Sequence, residues 1–230
     1  MWELAQIELG RRGHLGKAYS CSGIFSGRIF CGDCGALYGP RRWTTRSGES
    51  RSVWRCGKKY GNGNSCDSPI VDECALKQKF IDAFNEICSD REFVLETCRD
   101  LLEQFDDTDE IDAQIEEHLR ECEIIAELNK KLLDENANVV MDQDEFMKKY
   151  NGYVEKYEDE SAQAVKLQNI RDERKKKAEK ISAFMFEIHE RDGLLERFDE
   201  KLWLTTIESV QVQHDGSLVF RFNSGMEVTK

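Results

Sequence analysis

The sequence predicts an α+β protein: a small cysteine-rich β-ribbon with supporting helices and C-terminal antiparallel strands, carrying a long inserted antiparallel coiled-coil hairpin. Three observations carry this reading. Cysteines recur between short glycine-broken apolar runs at 20–70, a heptad-like apolar spacing persists from about 109 to 189, and strict alternation with turn signals returns after 207.

The first segment reads "GIFSGRIFCGDCGALYG" and then "RSVWRCGKKYGNGNSC", short apolar stretches interrupted by Gly, Asn and Ser, the pattern of strands joined by tight turns. Cys31 and Cys34 form a C-x2-C pair, and Cys56 and Cys66 follow. Four thiolates from two glycine-rich loops suit tetrahedral zinc, and a full thiolate shell leaves no open position for a water, so the metal is expected to be structural. Gly32, Gly35, Gly57 and Gly63 suit the knuckle turns, since glycine accepts positive φ without a steric penalty. Cys21 and Cys74 are the alternatives for a third or fourth ligand, and the plain reading of Cys56 and Cys66 as ordinary thiols stands beside the metal reading. Cys88, Cys98 and Cys122 fall on helical faces and read as packing residues.

The helical region opens with "DECALKQKFIDAFNEI", which places Leu76, Phe80, Ile81, Phe84 and Ile87 on one face, and a shorter helix is expected over 91–104. Next, Ile111, Ile115, His118, Cys122, Ile125, Asn129 and Leu132 alternate at spacings of four and three, a heptad seam with polar interruptions. Asp142 with Glu145 reads as a capping box that opens the return arm, along which Tyr150, Val154, Tyr157, Ser161 and Ala164 continue the seam. At the end, Val210 and Val212, a turn at Asp215-Gly216, Leu218, Phe220 and Phe222, a turn at Ser224-Gly225, then Met226 and Val228 predict a meander. So few strands bury little apolar surface, and the meander is expected to pack on the ribbon or the short helices.

Charge divides the chain: residues 1–70 hold 11 Lys+Arg against 5 Asp+Glu, while the whole chain has a net charge of −12. A basic head on an acidic body confines any polyanion contact to the head. Arg41, Arg42, Arg46, Arg51, Lys58 and Lys59, with Arg55 and the aromatics Trp43, Trp54 and Tyr60 among them, form the candidate nucleic-acid surface; the competing reading is solvated charge with some aromatics in the core. Trp54, beside Cys56, reads as core. At the hairpin tip Val139, Val140, Met141 and Phe146, amid acidic residues that repel DNA, are candidates for protein contact or for closing the hairpin locally. No apolar run long enough for a membrane span and no secretory leader is present, so a cytoplasmic protein is expected, in which clustered cysteines serve metals rather than disulfides. The scattered His14, His118, His189 and His214 suggest no catalytic centre.

On "GIFSGRIFCGDCGALYGPRR", the later "VWRCGKKYGNGNSC" and the coiled coil, the sequence resembles the C-terminal part of the large serine recombinases of the resolvase/invertase superfamily, which includes phage integrases and conjugative-transposon recombinases. The resemblance implies these divisions: 1–15 as the end of a preceding recombinase domain, 16–108 as zinc ribbon and supporting helices, 109–191 as coiled coil, and 192–230 as C-terminal helix and meander. It implies structural zinc on Cys31, Cys34, Cys56 and Cys66, double-stranded attachment-site DNA as a partner, and contact with other recombinase subunits through the coiled coil, with a directionality factor as a further candidate partner. The serine catalytic domain has no counterpart in this sequence, so the chain is expected to be inactive by itself while its parent recombines DNA. A zinc-ribbon and coiled-coil scaffold that never touches DNA is the alternative.

Overall fold

The computed structural model describes residues 23–44, 48–60, 65–139, 142–191 and 193–230. The expectations for residues 1–15, Cys21, His14, Arg46, Gly63, Val140 and Met141 lie outside the described residues. The chain divides into two compact units, one built from 1–101 and 180–230, the other from 102–179.

In the first unit the strands form two sheets. Strand β1 (Ile29–Cys31) lies parallel to β5 (Ile207–Val212), which pairs antiparallel with β6 (Leu218–Phe222), and β6 with β7 (Glu227–Thr229). The C-terminal meander is thus as the alternation predicts, with Val210, Val212, Leu218, Phe220, Phe222 and Val228 buried. Its turns place Gly216 and Gly225 at φ of 86° and 85°. The parallel strand from the cysteine-rich segment, which supplies the fourth strand, is not signalled by that alternation. The second sheet is the ribbon, β2 (Tyr38–Thr44), β3 (Ser50–Cys56) and the short β4 (Val71–Asp72).

Helix α1 (Glu73–Ser89) begins where Asp72 Oδ1 accepts from the backbone N–H groups of Cys74 and Ala75, and buries all five residues of its expected face, Leu76, Phe80, Ile81, Phe84 and Ile87. Helix α2 (Arg91–Asp106) follows directly. The core is aromatic: Trp203, on the short helix α5 (Glu200–Thr206), has ring centroids of Phe25 at 4.7 Å, Phe80 at 5.1 Å and Phe220 at 6.5 Å around it. Its indole N–H donates to the Ile24 carbonyl at 3.3 Å, so the one polar atom of the side chain is satisfied. Buried Arg28 donates to the carbonyls of Ile207 and Leu204, tying the ribbon's entry to the α5–β5 junction.

The second unit holds α3 (Asp109–Asn138) and most of α4 (Gln143–His189). Asp112 pairs with Arg171 at 3.1 Å, His118 with Glu160 at 2.5 Å, the Cys122 thiol donates to the Tyr157 carbonyl at 3.9 Å, and Gln143 donates to Asn136 at 3.2 Å. Partners ascending on α3 descend on α4, so the hairpin is antiparallel. The first arm buries Ile115, Cys122, Ile125 and Leu132, as the spacing predicts. On the return arm Ala164 is buried as the spacing predicts, but Tyr157 is 45% exposed, and the polar Glu160 and Arg171 reach the seam because His118 and Asp112 face them from α3. Asp142 Oδ1 accepts from the backbone of Asp144 and Glu145, the expected cap, whereas the Glu145 side chain pairs with Lys149 at 2.8 Å. Phe146 is buried and stacks on Tyr150 of the same helix at 6.0 Å, so it offers no surface to a partner. Val139, 64% exposed, is the described apolar residue left at the tip.

Candidate metal centre and nucleic-acid interface

The ligand atoms of Cys31, Cys34, Cys56 and Cys66 all lie within 4.8 Å of one another. Cys31 and Cys66 sulfurs are 3.6 Å apart, and those of Cys34 and Cys56 3.4 Å. A tetrahedron with Zn–S bonds of ~2.3 Å has edges of ~3.8 Å, so the cluster needs only slight adjustment to enclose the ion. It is a structural zinc site: three of the four cysteines are buried, and Cys34 is partly exposed. Cys74, the rival ligand among the described residues, is exposed and outside the cluster.

Each knuckle is held by backbone. Gly35 N–H donates to the Cys31 carbonyl at 2.9 Å with Gly35 at φ 69°, and the Lys58 N–H donates to the Cys56 sulfur at 3.4 Å. Glycine's tolerance of positive φ explains Gly35 but not its neighbours. A Cβ on Gly32 would sit 2.9 Å from both the Val212 carbonyl and the Gln213 side chain, and one on Gly57 would sit 3.1 Å from the Leu37 carbonyl. Gly32 is required by close approach, which lets the knuckle lie against β5 through the Gly32 N–H to Val212 carbonyl bond of 2.8 Å, and Gly57 leaves only a tight fit for a side chain.

The thiols are unequal. The Cys66 thiol is lowered to about 7 by hydrogen bonds from the hydroxyl and the backbone N–H of Ser68, whose Oγ lies 3.2 Å from the sulfur. Burial pushes the Cys56 thiol up to about 12, a cost that a dication removes by stabilising the deprotonated ligands together. Ser68, fully buried, had no signal in the sequence beyond its place two residues after the last ligand. Since partners of metal ligands typically contribute ~10–100-fold in affinity, Ser68→Ala is expected to weaken zinc binding about tenfold in competition with a chromophoric chelator. Unchanged affinity would show the hydroxyl to be a bystander.

The β2–β3 hairpin carries the basic residues. Its register sets Trp43 opposite Arg51, Arg41 opposite Val53 and Gly39 opposite Arg55, while Arg42 faces Ser52 and Thr44 faces Ser50. Directly opposed residues share a face and neighbours along a strand alternate. Arg41, Trp43, Arg51 and Arg55 therefore lie on one face, and Arg42 on the other with Trp54. Contacts agree: the Arg51 guanidinium sits 5.5 Å from the Trp43 ring centre, the Arg55 guanidinium 4.6 Å from that of Tyr60, and Arg42 Nε donates to Ser50 Oγ at 3.3 Å. Trp43 and Tyr60 are 48% and 68% exposed. Trp54 is core, its indole N–H donating to Glu73 at 3.3 Å. Lys58 is exposed, but Lys59 is half-buried and its ammonium donates to the Ser68 carbonyl at 2.6 Å, holding the loop that carries Cys66. The sequence groups these cations by proximity; the pleat separates Arg41 from Arg42, and the metal loop takes Lys59.

A four-thiolate centre closed by two knuckles on an antiparallel ribbon defines a structural zinc ribbon. Residues 24–85 match the family model described as the recombinase zinc beta ribbon domain, which bears out the resemblance to the C-terminal region of the large serine recombinases. No curated protein matches the chain. Among solved structures, one described as the crystal structure of an LSR–DNA complex, LSR denoting a large serine recombinase, is similar over 94% of this chain at 18% identity and a TM-score of 0.38. The chain spans 61% of that chain's length. Among the described residues no helix is long and apolar enough to cross a membrane.

Proposed function

We propose that this chain is the DNA-binding, synapsis-regulating C-terminal part of a site-specific serine recombinase that integrates or excises a mobile element. The observation that carries the proposal is the match of residues 24–85 to the recombinase zinc ribbon, on which Arg51 and the half-buried Arg55 sit beside the exposed aromatics Trp43 and Tyr60. In this reading 16–108 and 192–230 form the base that meets attachment-site DNA, through Arg41, Arg42, Arg51 and Lys58, with Arg46 a further candidate. Residues 109–191 reach other subunits or a directionality factor through the tip at Val139, Val140 and Met141. Catalysis belongs to a serine domain elsewhere in the parent protein.

Gel shifts of the zinc-loaded chain on duplex DNA from the ends of the element beside its gene test the first half. Three phosphate contacts, by Arg41, Arg42 and Lys58, predict a ~40-fold loss of affinity between about 50 and about 200 mM salt, from a slope of about −0.9 per phosphate. Absence of duplex binding would favour the scaffold reading, which the acidic hairpin also permits. Deleting 125–158 and rejoining the arms with a short turn is expected to keep DNA affinity within about twofold and abolish association of bound subunits. Association that survives the deletion would remove the tip from the proposal.

A further inference from the structure

We infer that one face of the β2–β3 hairpin, bearing Arg41, Trp43, Arg51 and Arg55, is the base-reading surface, and that Arg51 and Arg55, steadied by Trp43 and Tyr60, each read a guanine in the major groove. The inference rests on the proposal that the ribbon binds duplex DNA, and adds which face, which residues and which base. Its starting point is the register: Trp43 and Arg51 are directly opposed, and the two guanidinium–ring contacts of the hairpin region both involve this side, at 5.5 and 4.6 Å.

An arginine side chain loses much rotamer freedom when it docks, and its planar fork fits the O6 and N7 acceptors of guanine by two parallel hydrogen bonds. Stacking on a ring restrains that fork before DNA arrives, so less freedom is lost on binding. Trp43 and Tyr60 are positioning residues in this sense; both are exposed, with Arg51 exposed and Arg55 half-buried beside them. The major groove, about 12 Å wide, admits a two-stranded ribbon. Arg51 and Arg55 lie on the same strand, and four residues of strand rise ~13 Å, close to four base steps of ~3.4 Å. The two guanines read should therefore stand about four steps apart.

The opposite face is less suited. Arg42 there donates its Nε–H to Ser50, and inward from it the same face carries the buried Trp54 and Cys56, which belong to the core and the metal, whereas on the reading face Val53, between Arg51 and Arg55, is buried and Arg41, Trp43 and Arg51 stay exposed. Asp72, 3.9 Å from Arg51, balances that charge in the free protein without closing on it as a tight pair.

The test is enrichment of the zinc-loaded 230-residue chain on a pool of duplexes with a randomised core, followed by affinity for the enriched duplex and for unrelated duplex. Wild type is expected to enrich two guanines about four steps apart. Arg51→Lys and Arg55→Lys keep the charge and lose the fork; each is expected to lose one guanine from the enriched motif and at least tenfold in affinity for it, with affinity for unrelated duplex held within about twofold. Trp43→Leu should resemble Arg51→Lys, more weakly, while Arg42→Lys leaves the motif intact. Zinc stoichiometry measured on every variant separates an effect on reading from loss of the fold. The inference is overturned if both arginine variants enrich the wild-type motif, or if Arg42→Lys alone erases it. Wild type that binds duplex without any enrichment overturns the base-reading face while leaving DNA binding in place; wild type that binds no duplex overturns the functional proposal itself.

Discussion

Cys34→Ser is expected to abolish stoichiometric zinc binding and duplex binding together, while the helices of the second unit keep their circular-dichroism signal. The ribbon strands bury little apart from Tyr38, Val53, Trp54 and Val71, too small a set to order a hairpin without a cross-link. The metal closes a loop between Cys34 and Cys56, whose sulfurs lie 3.4 Å apart, and between Cys31 and Cys66. Removing one thiolate leaves three ligands and an open coordination position in place of a closed tetrahedral shell. The α3–α4 hairpin is held by its own seam, from Ile115 to Leu132, and by the Asp112–Arg171 pair, all within the second unit. A mutant that retains one zinc per chain and binds duplex normally would refute the four-thiolate assignment.

Trp203→Ala is expected to destabilise the first unit by ~3–5 kcal/mol, the range for truncating a buried large aromatic. Trp203 has no exposed surface, touches rings contributed by the ribbon entry, α1 and β6, and satisfies the Ile24 carbonyl. Truncation both empties the centre and strands that carbonyl. With domain stabilities of about 5–15 kcal/mol, much of the fold's margin is lost, and thermal unfolding should move down by roughly 10 °C. Trp203→Phe, which keeps a ring and loses the N–H, should fall between the two. A melting point unchanged by Trp203→Ala would mean that the cluster is not the centre of this unit.

The periodic parts of this fold were legible because burial imposes a period on sequence. Leu76, Phe80, Phe84 and Ile87 mark one helical face, and Val210 to Val228 alternate, because each element packs against one neighbour layer. The metal ligands were legible for a different reason, since thiolate chemistry restricts both residue type and spacing. What was not legible depends on partners distant in sequence. The parallel pairing of Ile29–Cys31 with Val210–Val212 leaves no periodic trace in three residues. Glu160 and Arg171 look like surface charges until His118 and Asp112 are set opposite them. Gly32 resembles a turn glycine, and only the Val212 carbonyl at 2.9 Å from its missing Cβ reveals a packing glycine. Among the basic residues, composition located the hairpin, but only the register sorted Arg41, Arg51 and Arg55 from Arg42, and only the loop geometry showed Lys59 to be engaged.

The pairing of β1 with β5 also orders events during synthesis. Strand β1 is complete at Cys31, but its partner begins at Ile207, so roughly 175 residues of chain must emerge before the four-stranded sheet can close. At ~5–20 residues per second that interval lasts roughly 10–35 s. All four thiolates lie within the first 66 residues and can gather a zinc ion long before then, which gives the nascent ribbon a cross-link independent of its eventual core. Zinc supply during translation, more than zinc supply to the finished chain, would then govern the yield of folded protein.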